Sequence, residues 1–316
     1  MKVSVIIPFY DLERYARECL DSVLAAVKGR EERVEVICVD DGSTDSTPRI
    51  LDEYASRYPF VKAVHKPNGG EGSARNAGLA AASGEWVTFA DGDDRWSDDY
   101  LEVAESAIAR HPGAEVFGFA LEAFGDGTEP GRHTGRAGAS EREFDVSASV
   151  PSDVVVRLGL TPAFFRRSVV AGLSFSSLPL GADRLFVSEC LLTARRIVIS
   201  DAVIYDYRTR AGSTSNVSWD ARKIRSMIDC VDGVFRNFTA AGRRLERGGA
   251  VYLAHALLGW AAKYTSRLAD GGEREEVSRR LAEAVRAMDP KRLPVFWRLR
   301  RRMYLMSHSK PRIEDR

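Results

Sequence analysis

The strongest constraint on the fold is the rhythm of residues 1 to about 122, where short apolar runs alternate with stretches of helical spacing. Lys2 to Ile7 (KVSVII) is stopped by Pro8. Val34 to Val39 (VEVICV), a weaker Val61 to His65, Trp86 to Ala90 and Val116 to Ala123 follow. Between the first two runs, Leu12, Tyr15, Ala16, Cys19, Leu20, Val23, Leu24 and Val27 fall on one helical face. Thr47-Pro48 has the form of an N-cap followed by proline at the first helical position, and Ile50, Leu51, Tyr54, Ala55 and Tyr58 continue that helix. A small-residue helix is predicted over 73–82, and another from a cap at Asp98 through His111. Strands alternating with helices pair in parallel and are covered by helices on both faces. The expectation is an α/β protein with a Rossmann-like, mostly parallel sheet.

Residues 124–145 are polar and glycine-rich, the composition of a loop. Beyond them the pattern is mixed. A short helix is predicted near Asp153 to Leu160, a second from Asp183 to Ala194, and strands near Ile197 to Ile199 and Val203 to Arg208; residues 219–305 have helical character throughout. This divides the chain at about 217, with a helical region over 218–316. The net charge of +1 gives no overall field that would favour nucleic acid. Cys19, Cys38, Cys190 and Cys230 are scattered without a CxxC pair, as expected of reduced thiols in a cytosol. The chain enters a strand with no signal peptide ahead of it, and no apolar run approaches membrane-spanning length. A cytoplasmic location is therefore expected.

In an open parallel sheet, ligands bind beyond the carboxyl ends of the strands. Three polar clusters fall there: Asp40-Asp41-Gly42-Ser43, the glycine-rich Asn68 to Asn76, and Asp91-Gly92-Asp93-Asp94. Asp41 alone suits either a ligand contact or an ordinary turn or helix cap. Three carboxylates within four residues repel one another, and a turn needs only one. A hard cation with oxygen ligands would neutralise them, and a D-x-D pair on Mg²⁺ or Mn²⁺ would hold a diphosphate. The EF-hand pattern is missing. Gly70-x-Gly72 begins a dinucleotide fingerprint, but Arg75 stands where its third glycine should be. The glycines suit close approach of backbone to a ligand, with Arg75 adding positive charge.

Taken together, VSVIIPFYD, EVICVDDGSTDSTPRIL and NGGEGSARNAGLAAASGEWVTFADGDD resemble the family 2 glycosyltransferases of GT-A fold, closely over residues 3 to about 100 and more loosely to about 217. The resemblance implies an inverting enzyme that moves a sugar from a nucleotide diphosphate sugar, usually a UDP-sugar, to an acceptor hydroxyl. It places nucleotide-sugar binding in 1–100 and the acceptor side in 101–217, with 218–316 as a helical extension. Pro8 and Asp41 would meet the base, and Arg75 would lie near the nucleotide. Asp91, Gly92 and Asp93 match the D-x-D motif, with Asp93 as the direct metal ligand and Asp91 near ribose or metal. LPLGADRLF (178–186) resembles the family's Gly-Glu-Asp-x-x-Phe motif, with Ala182 in place of the glutamate; Asp183 carries over as the catalytic base, against a plainer reading as an N-cap. TPAFFRRSVV offers Arg166 or Arg167 to the diphosphate or to the surface. YDYRTRAGSTS (205–215) offers Arg208, Arg210 and Ser213 to the phosphates, and Asp11 replaces the usual asparagine.

A saccharide or lipid-linked saccharide acceptor, in assembly of bacterial cell-surface polysaccharide, is the implied partner. The tail DPKRLPVFWRLRRRMYLMSHSKPR (289–312) mixes arginines with aromatic and aliphatic residues. It suits a helix lying on the inner face of the plasma membrane, or one packed on the domain with a solvated arginine face. Two other functions compete. A nucleotidyltransferase would carry a basic glycine-rich loop after the first strand, where PFYDLERY stands, and a non-catalytic relative has only Ala182 in its favour.

Overall fold

The structure, a computed structural model, describes residues 1–125, 139–210, 219–255, 259, 261–269 and 271–287. Two compact units emerge. The first comprises Met1–Ser147, Arg157–Ser177 and Ala182–Asn216; the second comprises Ala148–Val156, Leu178–Gly181 and Val217–Arg316. The division is therefore not a single cut, because two short upstream stretches belong with the C-terminal region.

The first unit is built on one sheet. β1 (Val3–Phe9) is buried along its whole length, parallel to β2 (Val34–Asp40) on one side, with β3 (Val61–His65) parallel beyond β2. On its other side lies β4 (Trp86–Phe89), again parallel. The predicted parallel run is thus present over the first four long strands. Past β4 the sheet is mixed. With β5 (Arg95–Trp96), β6 (Val116–Gly125), β7 (Glu141–Asp145), β9 (Ala163–Arg166) and β10 (Arg196–Thr209), the order is β3-β2-β1-β4-β9-β6-β10-β5, with β7 also on β10. β9 is antiparallel to both β4 and β6, whereas β10 is parallel to β6. Two sequence expectations change here. The predicted loop 124–145 contributes strand at both ends, with 126–138 outside the described residues. The two strands predicted near 197–199 and 203–208 are one, with irregular register between Ile199 and Tyr205.

Helices α1 (Ala16–Val27), α2 (Thr47–Arg57), α3 (Glu71–Ala81) and α4 (Tyr100–Arg110) alternate with the early strands. α1 buries Ala16, Cys19, Leu20, Val23, Ala26 and Val27, following its apolar periodicity. α3 begins two residues earlier than predicted, after Gly70 at φ +84°. At Gly78 a Cβ would fall 2.3 Å from Ile6 Cγ2, so glycine is what lets α3 lie against β1. Ser46, not Thr47, occupies the N-cap position of α2; the Thr47 hydroxyl instead accepts from Leu12 N at 2.9 Å, fastening the helix start to the loop after β1. Trp96 stacks on Tyr100 with centroids 3.7 Å apart, inside a core that includes Trp86, Phe117, Phe164 and Tyr205. Each such side chain contributes roughly 1.5–3 kcal/mol on burial.

In the second unit, β8 (Ser149–Val150) pairs in parallel with β11 (Arg244–Leu245), so the C-terminal region is not wholly helical. α5 (Ser152–Arg157) follows β8, while α6 (Arg167–Val170) and α7 (Ala182–Thr193) belong to the first unit. α8 (Ala221–Ala240) is capped by Asp220, which accepts from Lys223 N at 2.8 Å. α9 (Arg247–His255), α10 (Ala262–Thr265) and α11 (Gly272–Ala287) complete it. The predicted basic tail helix and Ser213 lie outside the described residues. Among the described residues no helix is long and apolar enough to cross a membrane. All four cysteines are free and buried.

Candidate active site

The carboxyl ends of β1, β2 and β4 meet around Pro8. Ile6 O accepts from Ala90 N, alternate residues of a strand face the same neighbour, and the β1–β4 pairing ends at Ile6 and Phe89. Pro8 has no N–H to offer as the next rung, and the β1–β4 ladder stops there. Gly92 lies directly against this end: a Cβ there would fall 2.5 Å from Phe9 Cδ1 and 2.9 Å from Pro8 O. Only glycine allows the acidic turn to sit so close.

After β2, buried Asp41 accepts from Lys66 Nζ at 2.5 Å, Gly69 N at 3.0 Å and Gly70 N at 2.7 Å. It thereby fixes the start of the glycine-rich stretch. Asp40 accepts from Ser43 N at 2.9 Å and faces His65 Nδ1 at 3.1 Å. Asp11 has φ +49°, a left-handed conformation that aspartate and asparagine tolerate better than most residues. Its Oδ1 accepts from Thr44 N at 2.7 Å, so the change from asparagine is accommodated.

In the acidic turn, Asp91 Oδ1 accepts from Arg75 Nη2 at 2.7 Å, and the same nitrogen donates to Glu71 at 2.5 Å. Asp91 N donates to the Tyr205 hydroxyl at 3.0 Å, which donates in turn to Asp94 Oδ2 at 2.7 Å; Asp94 Oδ1 accepts from Arg208 N at 2.7 Å. Burial, followed by the Asp91 carboxylate, pushes the Asp94 pKa up to about 8. Asp93 Oδ2 accepts from Arg210 Nε at 2.7 Å, and its main-chain carbonyl accepts from Arg208 Nε at 2.7 Å. Arg208 also donates to Glu18 at 2.6 Å and lies over the Phe124 ring, 4.4 Å from its centroid. Every acid of the turn therefore has a partner within the chain. Arg75 and Arg210 supply counter-charge to Asp91 and Asp93, whereas Asp94 is held by a hydroxyl and a main-chain N–H.

Whether a metal fits is then a matter of donor chemistry. Among the described residues no group of three or more His, Cys, Asp or Glu is arranged to hold one. Asp91 and Asp93 are nevertheless hard oxygen donors on one turn, with side chains 26% and 17% exposed. They fit the mode in which a small divalent cation takes one or two carboxylates and completes its shell with water and substrate phosphates.

Asp183 reaches the same neighbourhood through α3 and α7. Asn76 Nδ2 donates to Phe175 O at 2.9 Å and Asn76 Oδ1 accepts from Phe175 N at 2.7 Å, clamping that strand-like segment to α3. Phe175 stacks on Phe186 of α7 with centroids 3.9 Å apart, and both meet Phe89 edge-on. Asp183 stands in the first turn of α7, exposed, and accepts no hydrogen bond among the described residues, so it does not cap the helix. Its charge acts on Glu71, Arg75 and Asp91.

Some predicted partners lie elsewhere. Because β9 runs antiparallel to β4, Arg166 pairs in register with Trp86 at the start of β4, not at the end that carries Asp91. Its guanidinium lies 4.8 Å from the Trp86 ring centroid, and Arg167 donates to Ala82 O at 2.6 Å. Neither faces the acidic turn. Conversely, Glu18, Glu71, Asn76 and Tyr205 make contacts that sequence reasoning did not assign. Asn76 and Tyr205 stood inside quoted motifs, but Glu18 had no signal beyond a polar place on an amphipathic helix.

The signature described as "Glycosyl transferase family 2" matches residues 4–172, just over half of the chain. Poly(ribitol-phosphate) beta-glucosyltransferase of Bacillus spizizenii is 32% identical over 218 residues, which cover 66% of this chain and 32% of that protein. The chain spans only 26–36% of the length of the first curated relatives it matches. Among solved structures, S. aureus TarS 1-349 in complex with UDP-GlcNAc is similar at TM-score 0.76 and 24% identity, covering 97% of this chain and 89% of that one. A mannosyltransferase of Pyrobaculum calidifontis in complex with GDP-Man and Mn²⁺ is similar at TM-score 0.57 and 18% identity, covering 98% and 88%.

Proposed function

Because the chain belongs to glycosyl transferase family 2 and has the GT-A fold, we propose that it transfers a sugar from a nucleoside diphosphate sugar to an acceptor hydroxyl with inversion. One observation carries this reading. The turn of Asp91 and Asp93 is held against Pro8 at the end of β1, and α3, whose Arg75 meets Asp91, is tied through Asn76 and Phe175 to Phe186 of α7, the helix that carries the exposed Asp183. Donor-side and acceptor-side carboxylates are thus braced by one helix.

In this reading the nucleotide lies over the ends of β1 and β2, with Pro8 and Asp41 beneath the base and Gly92 holding the acidic turn close to Pro8. Arg208 and Arg210 bring positive charge to the departing diphosphate, where negative charge develops. A divalent cation held by Asp93 and Asp91, Mn²⁺ or Mg²⁺, would add Lewis-acid stabilisation of that charge. Asp183 takes the proton of the acceptor hydroxyl as it attacks the anomeric carbon from the opposite side. UDP is the first nucleotide to test, given the bound UDP-GlcNAc of TarS. The Bacillus poly(ribitol-phosphate) relative makes a cell-surface polymer the first acceptor class to try. A cytoplasmic enzyme touching the inner membrane face belongs to the same reading.

Two variants test it. Asp183→Asn should lower UDP release in the presence of acceptor by at least about 100-fold, the low end for a general base, while keeping the thermal shift given by UDP with Mn²⁺. Asp93→Asn should lose that shift. Unchanged turnover in both variants would refute the mechanism, and no metal-dependent shift with any nucleoside diphosphate would refute the donor site.

A further inference from the structure

The three arginines around the acidic turn are held very differently. Arg75 is 5% exposed and shared between Asp91 and Glu71. Arg208 is 5% exposed and bound to Glu18, to the Asp93 carbonyl and to the face of Phe124. Arg210 is the more accessible, 22% exposed, with its Nε on Asp93 Oδ2 at 2.7 Å and its guanidinium 5.2 Å from the Tyr15 ring centroid. It therefore occupies one of the two Asp93 carboxylate oxygens open to a D-x-D metal.

Resting on the donor reading above, we propose that Arg210 is a resident counter-cation of Asp93 that gives way to the divalent metal when a nucleoside diphosphate binds, making metal and nucleotide bind cooperatively. A cation held by the Asp93 carboxylate would stand beside the Arg210 guanidinium and be repelled by it. That guanidinium cannot relieve the repulsion by losing its proton. Metal alone therefore binds against the charge of Arg210 and weakens the Asp93–Arg210 pair. The diphosphate changes the balance, because its oxygens match the planar fork of the guanidinium and offer two parallel hydrogen bonds. Nucleotide thus strengthens metal binding by drawing Arg210 off Asp93, as well as by lending phosphate ligands. By linkage, metal strengthens nucleotide binding by the same factor.

Titration with MnCl₂, following free Mn²⁺ by electron paramagnetic resonance with and without UDP, tests the exchange. Arg210→Ala should bind Mn²⁺ alone at least about fivefold more tightly than the unaltered protein, the low end of ordinary coupling, and UDP should add less to its affinity. The gain should vanish in the Asp93→Asn, Arg210→Ala double variant. Equal Mn²⁺ affinity in the unaltered protein and Arg210→Ala, while UDP still tightens the former, overturns the exchange and leaves the donor site standing. A gain that persists in the double variant also overturns it, since it would reflect general charge. If no Mn²⁺ binds even with UDP or GDP, the donor reading falls and takes the exchange with it.

Discussion

His65, the last residue of β3, sets a testable pH dependence. Its Nε2 lies 2.9 Å from Asp52 and its Nδ1 3.1 Å from Asp40, so both ring nitrogens face carboxylates and the imidazolium satisfies both. The hydrogen bond to Asp52, with Asp40 adding to it, raises its pKa. A raised folded value means that the stabilisation is complete below the unfolded pKa of about 6.5 and is lost as pH rises through the folded one. Urea midpoints measured from pH 5.5 to 9 should fall for the unaltered protein relative to His65→Gln. Parallel curves for the two would refute the assignment. At this scale the sequence disclosed identities better than partners. Asp91 and Asp93 stood out because their spacing is improbable for a simple turn. Their counter-charges Arg75 and Arg210 are 16 and 117 residues away, and no local periodicity reports a pairing made by sheet topology.

Among the elements, α3 does the most positioning. Its Arg75 meets Asp91, while Asn76, the next residue, clamps Phe175 and through the stacked Phe186 steadies the helix whose first turn holds Asp183. Asn76→Ala removes two hydrogen bonds to main chain, worth about 0.5–1.5 kcal/mol each, and should lower stability by roughly 1–3 kcal/mol. If the clamp positions Asp183, kcat should fall further than KM rises. A stability loss with unchanged kcat would leave the clamp a purely structural role. Periodicity revealed β1, α1, β2 and β4 because each keeps one pattern against one core. It misjudged β10, where the strand continues through an irregular register that breaks alternation, and it assigned Thr47 to a cap although the hydroxyl serves Leu12. It was silent on direction: AFFR has the same composition whether β9 runs with β4 or against it.

For the molecule as a whole, the two-unit division sets a further expectation. A chain ending at residue 216 would keep the matched core of the first unit. It would also retain Ala148–Val156 without β11, leaving Val150 and Val154, both 0% exposed in the intact chain, with their surroundings removed. Such a truncation should unfold at lower urea than the full chain and be cut by protease first within 148–156. An unchanged midpoint would show that the C-terminal region contributes nothing to holding that stretch. The sequence pointed to a change of character near 217, where composition shifts. It could not disclose that two upstream stretches, 148–156 and 178–181, belong to the later part, since a two-residue strand has no period to read.

The β8–β11 pair also bears on how the chain is made. Val150 is synthesised about ninety-five residues before its partner Leu245. At ordinary synthesis rates of roughly 5–20 residues per second, that is an interval of several to about twenty seconds. The strands around Pro8 and the acidic turn are complete well before then, so the catalytic half can close early. Until then β8 has no β11 to pair with, so Val150 and Val154 stay uncovered on the nascent chain longer than they would beside a local partner.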